Sequence, residues 1–210
     1  FPTPRYTPYH VPHRTEVAGF MTILHGDARF YNNIFVQAKV REDLKGYVQS
    51  RNLDALSFYN FICGTKPYDG YPDPKTYFGQ FNAQSTSDFG SKDLFYDHLP
   101  VYTGGNVYFN GAQPCDTEEN FASDTEHEIT WELDLENDHY VFKTNVYDFM
   151  PEIHAPLVNT ELLGEAFEPE QKFEAPDGSS ILFDTDYLGE KRPLQPMPGP
   201  FSQERNIQEL

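Results

Sequence analysis

The sequence predicts an all-β protein built as a parallel β-helix with long loop insertions. Apolar and polar residues alternate with a period of two over short spans, the signature of half-buried strands. Stretches dense in Gly, Pro, Asn and Asp separate those spans and cannot sustain helix or strand. Segments that mix aromatics with an Asn near the strand end recur along the chain, at residues 29–35, 106–111 and 141–146. Asn tolerates left-handed corners, and in stacked coils equivalent Asn side chains can form hydrogen-bonded ladders. Unrelated strands of a β-sandwich are the alternative that the pattern leaves open.

The strand spans are residues 20–24, 29–36, 106–110, 129–135, 139–146 and 180–183. Tyr31, Ile34, Phe35, Val107 and Phe109 are expected to fill the interior or the contact between coils. Residues 41–62 carry apolar side chains at helical spacing early on and predict one short helix. Residues 64–92, opening with GTKPYDGYPD, predict a long surface excursion. Its Tyr68, Tyr71, Tyr77, Phe78 and Phe81 would anchor it, line a cleft, or bury against a second copy in a homo-oligomer. Residues 1–192 are expected to form the β-helix part and residues 193–210 an extended Pro-rich tail whose polar end, 202–210, frays.

A chain of 210 residues with 16% aromatics can bury a core, whereas disordered chains are aromatic-poor. The 33 acidic and 15 basic residues give a net charge of −18, which repels phosphate backbones and anionic membrane surfaces. Nucleic acid is thereby excluded as a partner class, and no apolar stretch reaches the length of a membrane span. The chain opens on Phe, and FPTPRYTPYHVPHR lacks the charged and apolar regions of a leader, so an upstream segment or a longer protein is expected. Cys63 and Cys115 have neither metal-binding nor disulfide-framework spacing and are expected as free thiols. The compartment stays open, with the cytoplasm ahead of secretion.

Chemistry concentrates near the N-terminus, in His10, His13, Arg14 and Glu16, followed by His25 and Asp27. Pro12 interrupts the HxxH spacing of His10 and His13, so one-face metal geometry is not implied and no metal is expected. These groups could cross-link loops to strand ends. Equally, His10, His13, Arg14, Glu16 and His25 could hold sugar hydroxyls, with Tyr6 and Tyr9 packing on pyranose faces. Glycoside hydrolysis needs two carboxyl groups, and Glu16 with Asp27 is the best acidic pair by neighbourhood. GxSxG, a phosphate-cradling glycine loop and HExxH are absent, no cofactor is implied, and Asp184 and Asp186 lack the rest of a calcium loop.

The run PRYTPYHVPHRTEVAGFMTILHGDARFYNNIFV, with APDGSSILFDTDYLGEKRP and the closing PGPF, resembles the C-terminal part of glycoside hydrolase family 120. The resemblance spans essentially the whole chain and the last third of such an enzyme. It implies a right-handed parallel β-helix, of which this chain supplies the C-terminal coils and cap. It also implies a retaining β-xylosidase that releases xylose from the non-reducing ends of xylo-oligosaccharides. The family's aspartate nucleophile and glutamate acid/base would precede Phe1, so no catalytic residue is carried over and Glu16 and Asp27 stay as fallback candidates. The partners implied are a xylo-oligosaccharide and the remainder of the β-helix enzyme, and the isolated chain would be inactive. Two other readings compete: a noncatalytic carbohydrate-binding or structural β-solenoid, and a polysaccharide lyase, which the net charge disfavours because its substrate is anionic.

Overall fold

A computed structural model describes residues 6–22, 24–39, 42–50, 61–79, 98–167 and 170–209. The chain enters through an antiparallel hairpin, β1 (Tyr6–His10) and β2 (Val17–Thr22), in which Tyr6 faces Thr22 and Tyr9 faces Gly19. The next apolar span divides into β3 (Arg29–Tyr31) and β4 (Ile34–Val36), because Asn32 turns the chain at φ 58°. Residues 102–109 divide in the same way into β5 (Tyr102–Gly104) and β6 (Asn106–Phe109) at Gly105, φ 69°. The two corners stack: a Cβ on Gly105 would stand 2.3 Å from Asn32 Oδ1 and 2.7 Å from the Ala155 methyl, so only glycine fits. Strand β3 pairs with β5 in parallel, and β4, β6 and β7 (Phe121–Asp124) form a second parallel ladder.

Beyond β7 the pairing changes. Strands β8 (Trp131–Glu136) and β9 (His139–Thr144) form an antiparallel hairpin. Its two-residue turn, Asn137 and Asp138, has φ 47° and 69°, the geometry whose twist matches paired strands. Strand β12 (Ile207–Glu209) adds to β9, and β10 (Glu165–Ala166) pairs with β11 (Gln171–Lys172). The described residues therefore form several small separate sheets, some parallel and some antiparallel, with no solenoid and no closed sheet.

That arrangement corrects the expected right-handed parallel β-helix. Two of the three similar segments, 29–35 and 106–111, do pair in parallel. The third, at 141–146, lies in the antiparallel sheet, because the tight turn at Asn137–Asp138 folds β9 back on β8 before another parallel strand can be laid down. Residues 180–183 make only isolated bridges, Glu174 to Ser180 and Asn159 to Leu182. The helix expected within 41–62 is observed over Glu42–Ser50, while residues 51–60 lie outside the described residues. Within the expected excursion, residues 80–92, with Phe81, also lie outside them. Its first part forms a 3-10 turn at Lys66–Tyr68 and a helix at Pro74–Gly79, anchored by Tyr77, whose ring packs against Phe78 and Phe167.

Strand β6 is buried along its whole length and separates two interiors. Val107 and Phe109 face a core with Ile129, Val146, Tyr147 and Phe201, against which Ile34 packs. On the opposite face, Asn106 and Tyr108 enter a buried polar network. Glu118, 5% exposed, accepts the Tyr108 hydroxyl at 2.6 Å, the Thr65 hydroxyl at 3.0 Å and the Asn106 amide at 2.8 Å. The amide oxygen of Asn106 accepts from the Asn33 backbone and side chain, both at 2.9 Å, while Phe35 stacks on Tyr108 at 5.2 Å. Burial first, and then the bond to Glu118, pushes the Tyr108 phenol far above its ordinary range. Cys63 and Cys115 are free thiols, Cys115 buried.

The C-terminal segment is built into this core. Pro196 and Pro198 are buried, Phe201 belongs to the main cluster, and residues 207–209, expected to fray, supply β12. Asp186 fastens the segment: one oxygen accepts the N–H groups of Leu188 (2.9 Å) and Glu190 (2.8 Å), the other that of Ser202 (2.7 Å). Burial alone would raise the Asp186 carboxyl; the bonds from Ser202, Glu190 and Leu188 outweigh it and hold it down at about 2. A carboxyl depressed on folding stabilises the native state above its unfolded value, roughly 3.9, and that contribution disappears as pH falls through the folded value. Asp186→Asn should therefore lower the midpoint of urea unfolding at pH 6, with the gap to the unmodified protein closing between about pH 4 and pH 2. A gap of constant size across that interval would contradict the assignment.

Candidate functional site at the hairpin turn

The turn between β1 and β2 gathers four of the candidate side chains. Val11, Pro12, His13 and Arg14 form a β-turn closed by the Arg14 N–H on the Val11 carbonyl, 3.0 Å, and the Val11 N–H reaches Glu16 O at 2.9 Å. Proline at the second position presets the turn, and His13 at the third has φ 57°, a conformation usually left to Gly or Asn. His10 ends the ladder opposite Val17 and His13 lies in the turn beyond it, both at the exposed end of the hairpin. The Tyr9 ring lies across Gly19, where a Cβ would meet it at 2.9 Å, so the glycine makes room for an aromatic at the base of the turn.

Each imidazole is held by one partner. His10 Nδ1 is 3.1 Å from the Thr15 carbonyl; a carbonyl only accepts, so Nδ1 carries the proton and Nε2 of the neutral ring is left as an acceptor. His13 Nε2 is 2.9 Å from Glu174 Oε1, a contact spanning 161 residues of sequence. Beside them, Asp177 is held below the usual carboxylate range, chiefly by the Ser179 hydroxyl at 2.6 Å and then the Ser179 N–H, with a smaller contribution from His13. Arg14 and Glu16 make no side-chain hydrogen bond or ion pair among the described residues. The result is an open depression of about 950 Å³, lined by Tyr9, His10, His13, Arg14 and Glu16 with Gln171 from β11. It offers an unpaired guanidinium, an unpaired carboxylate and an imidazole acceptor beside a phenol ring, groups that suit ligand hydroxyls.

His25 and Asp27 stand elsewhere. The His25 ring meets His98 edge-on at 6.2 Å, next to Tyr71, which stacks on His98 at 4.1 Å. Neither His25 nor Asp27 is among the residues lining the depression. Both Asp27 oxygens are engaged, Oδ1 by Arg29 Nη1 at 2.7 Å and Oδ2 by the Phe167 N–H at 3.0 Å. Asp184 pairs with Lys191 and Asp186 takes three backbone N–H groups, so the pair is committed to turns. Among the described residues no group of three or more His, Cys, Asp or Glu side chains could hold a metal ion.

Arg29 connects this site to the fold. Its guanidinium lies between the Tyr102 and Phe173 rings, 4.5 Å from each centroid. It donates to the carbonyls of Leu163 (2.7 Å), Glu165 (2.7 Å) and Asp27 (2.6 Å) as well as to the Asp27 carboxylate. That clamp fixes the segment carrying β10 and β11, and so the placement of Gln171 and Glu174 against the hairpin. Sequence reasoning named the hairpin residues that line this depression and did not name Gln171 and Glu174, since no local pattern ties them to His13.

With this geometry in place, comparison with known proteins adds one likeness. The chain is similar to the solved structure of XylC in complex with xylose. The TM-score is 0.76 at 27% identity, over 98% of this chain and 29% of that one. The chain thus spans less than a third of the length of XylC. No family model and no curated protein matches the chain.

Removing the clamp should loosen the site from its C-terminal side. Arg29→Met strands the Asp27 carboxylate and three carbonyls and should cost about 3 kcal/mol in urea unfolding, the scale of a broken buried pair. Amide exchange at Phe167 and Phe173 should speed up in the same variant, and Arg29→Lys, which keeps the charge but not the fork, should fall between. A loss below about 1 kcal/mol, the size of an exposed pair, would contradict this role.

Proposed function

We propose that this chain forms part of a retaining β-xylosidase of the family 120 type and that the hairpin depression is one wall of its xylose-binding cleft. The observation that carries the reading is the likeness to xylose-bound XylC along nearly the full chain. The depression supports it chemically. A pentose offers hydroxyls that donate to Glu16 and to His10 Nε2 and accept from Arg14, and an apolar ring face that can lie on Tyr9. His25 could extend the same wall beyond the depression.

In the retaining reaction one carboxylate attacks the anomeric carbon while a carboxylic acid protonates the departing glycosidic oxygen. The resulting carboxylate then takes a proton from water, whose oxygen displaces the enzyme from the sugar. Asp27, with both oxygens engaged, and Glu16, at the hairpin turn, are not brought together on one depression. The two acids are therefore assigned to the remainder of a longer enzyme, and this chain to positioning the sugar. The fallback pair and a purely carbohydrate-binding role are the readings that a hydrolysis assay would otherwise promote.

The test is p-nitrophenyl xyloside hydrolysis by the complete enzyme carrying His13→Ala or Arg14→Ala, with melting temperature measured in parallel. Loss of sugar positioning should lower kcat/KM roughly tenfold to a hundredfold with melting unchanged. Unchanged turnover, or a loss matched by unfolding, would refute the cleft role. The isolated chain should show no turnover; hydrolysis by it that is lost in Glu16→Gln or Asp27→Asn would move the catalytic acids into this chain.

A further inference from the structure

The approach to β8 forms another open depression, of about 640 Å³, which shares no lining residue with the hairpin depression. Its wall includes Trp131, the sole tryptophan of the sequence, 55% exposed. A large aromatic left in water at this level is unusual for a side chain with so much apolar area. The backbone around it is held by three side-chain clamps. Asn110 donates to the Ile129 carbonyl (2.7 Å) and accepts its N–H (2.8 Å). Asn145 does the same with the Glu128 carbonyl (3.0 Å) and the Thr130 N–H (2.8 Å). Asp124 accepts the N–H groups of Glu126 (2.9 Å) and His127 (3.0 Å) and holds the His127 ring, which stacks on Phe149 at 4.1 Å. A wall fixed in this way loses little further conformational freedom when a ligand arrives.

The chemistry of the wall selects the ligand. Glu126, Glu128 and Glu132 are acceptors for hydroxyl protons, Glu128 being also paired with Lys39 of the same wall at 3.4 Å. Three carboxylates against one ammonium, like the net charge of −18, disfavour phosphate, sulfate and uronate groups. An indole face binds the C–H face of a pyranose. Along β8, Leu133 (51% exposed) and Leu135 (64%) follow Trp131 on the same face, with Tyr140 (52%) opposite Leu135. Four residues of strand span roughly 13 Å, room for more than one sugar unit. We propose that the Trp131 depression is a second ligand site, taking a neutral oligosaccharide that runs from the indole along this strip. The choice of xylose-based probe rests on the xylosidase reading; the site itself rests on its own wall.

Trp131 is the sole tryptophan of these 210 residues, so the tryptophan fluorescence of this chain reports this site. Titration of the chain with xylohexaose should give a saturable change in emission and protection from acrylamide quenching, insensitive to high salt, with xylose binding far more weakly. Trp131→Ala should weaken xylohexaose binding by roughly tenfold in calorimetry with melting unchanged, the loss expected for one stacked aromatic. Arg14→Ala should leave the fluorescence response intact. No response to xylohexaose or cellohexaose, or a response to spermidine alone that salt abolishes, would overturn the proposal, as would loss of the response in Arg14→Ala. If the hydrolysis assay refutes the hairpin role while the tryptophan still responds, the second site stands and the cleft reading falls.

Discussion

The guanidinium of Arg29 is charged, its side chain is only 7% exposed, and it is reached by groups from four places in the chain. Burying such a charge costs several kcal/mol unless its donors are met, and here they are, by three carbonyls and a carboxylate, with aromatic faces above and below. The requirement works in both directions. The carbonyls of Leu163 and Glu165 can satisfy the fork only if the segment around β10 folds back on β3, and Phe167 is drawn in by the second Asp27 oxygen. Glu174 then falls within reach of His13. A charge placed for folding thus determines which surface faces the hairpin turn.

A similar double duty falls on β6, where one strand of alternating character serves two interiors. Val107 and Phe109 build the apolar core, and Asn106 and Tyr108 build the Glu118 network. The Asn32 and Gly105 corners let consecutive parallel strands bend together, which keeps both ladders in register across the bend. The molecule is acidic outside while its buried Glu118 and Asp186 carboxylates are satisfied by neutral donors. Neutral sugars, which offer hydroxyls and apolar faces but no charge, match such surfaces better than anions do.

Much of this was legible along the chain, and the limit is informative. Period-two alternation located β3, β4, β6, β8 and β9, and Asn marked left-handed turns in the first two similar segments, at Asn32 and Asn110, but not in the third, where Asn145 has φ −106°. Extending those turns to a full β-helix failed because an Asn corner is a local property, while the stacking of coils depends on how the next strands of the chain pair. The Asn137–Asp138 pair between two alternating runs is itself a hairpin signal, and it favours antiparallel β8 and β9 in the place where a third coil was expected. The polar end of the chain looked unanchored because the anchors, Phe201 in the core and Asp186 on the Ser202 N–H, act through tertiary contacts. At the site, clustering in sequence exposed His10, His13, Arg14 and Glu16, whereas Gln171 and Glu174 belong to it only through the fold.

The central claim is that the hairpin turn holds a sugar, and a crystal structure of the protein with xylobiose tests it most directly. The account predicts a pentose in the hairpin depression, its hydroxyls within hydrogen-bond distance of Arg14, Glu16 and His10 Nε2 and its ring face against Tyr9. A bound xylobiose that leaves those side chains in water, with the depression empty, would contradict it.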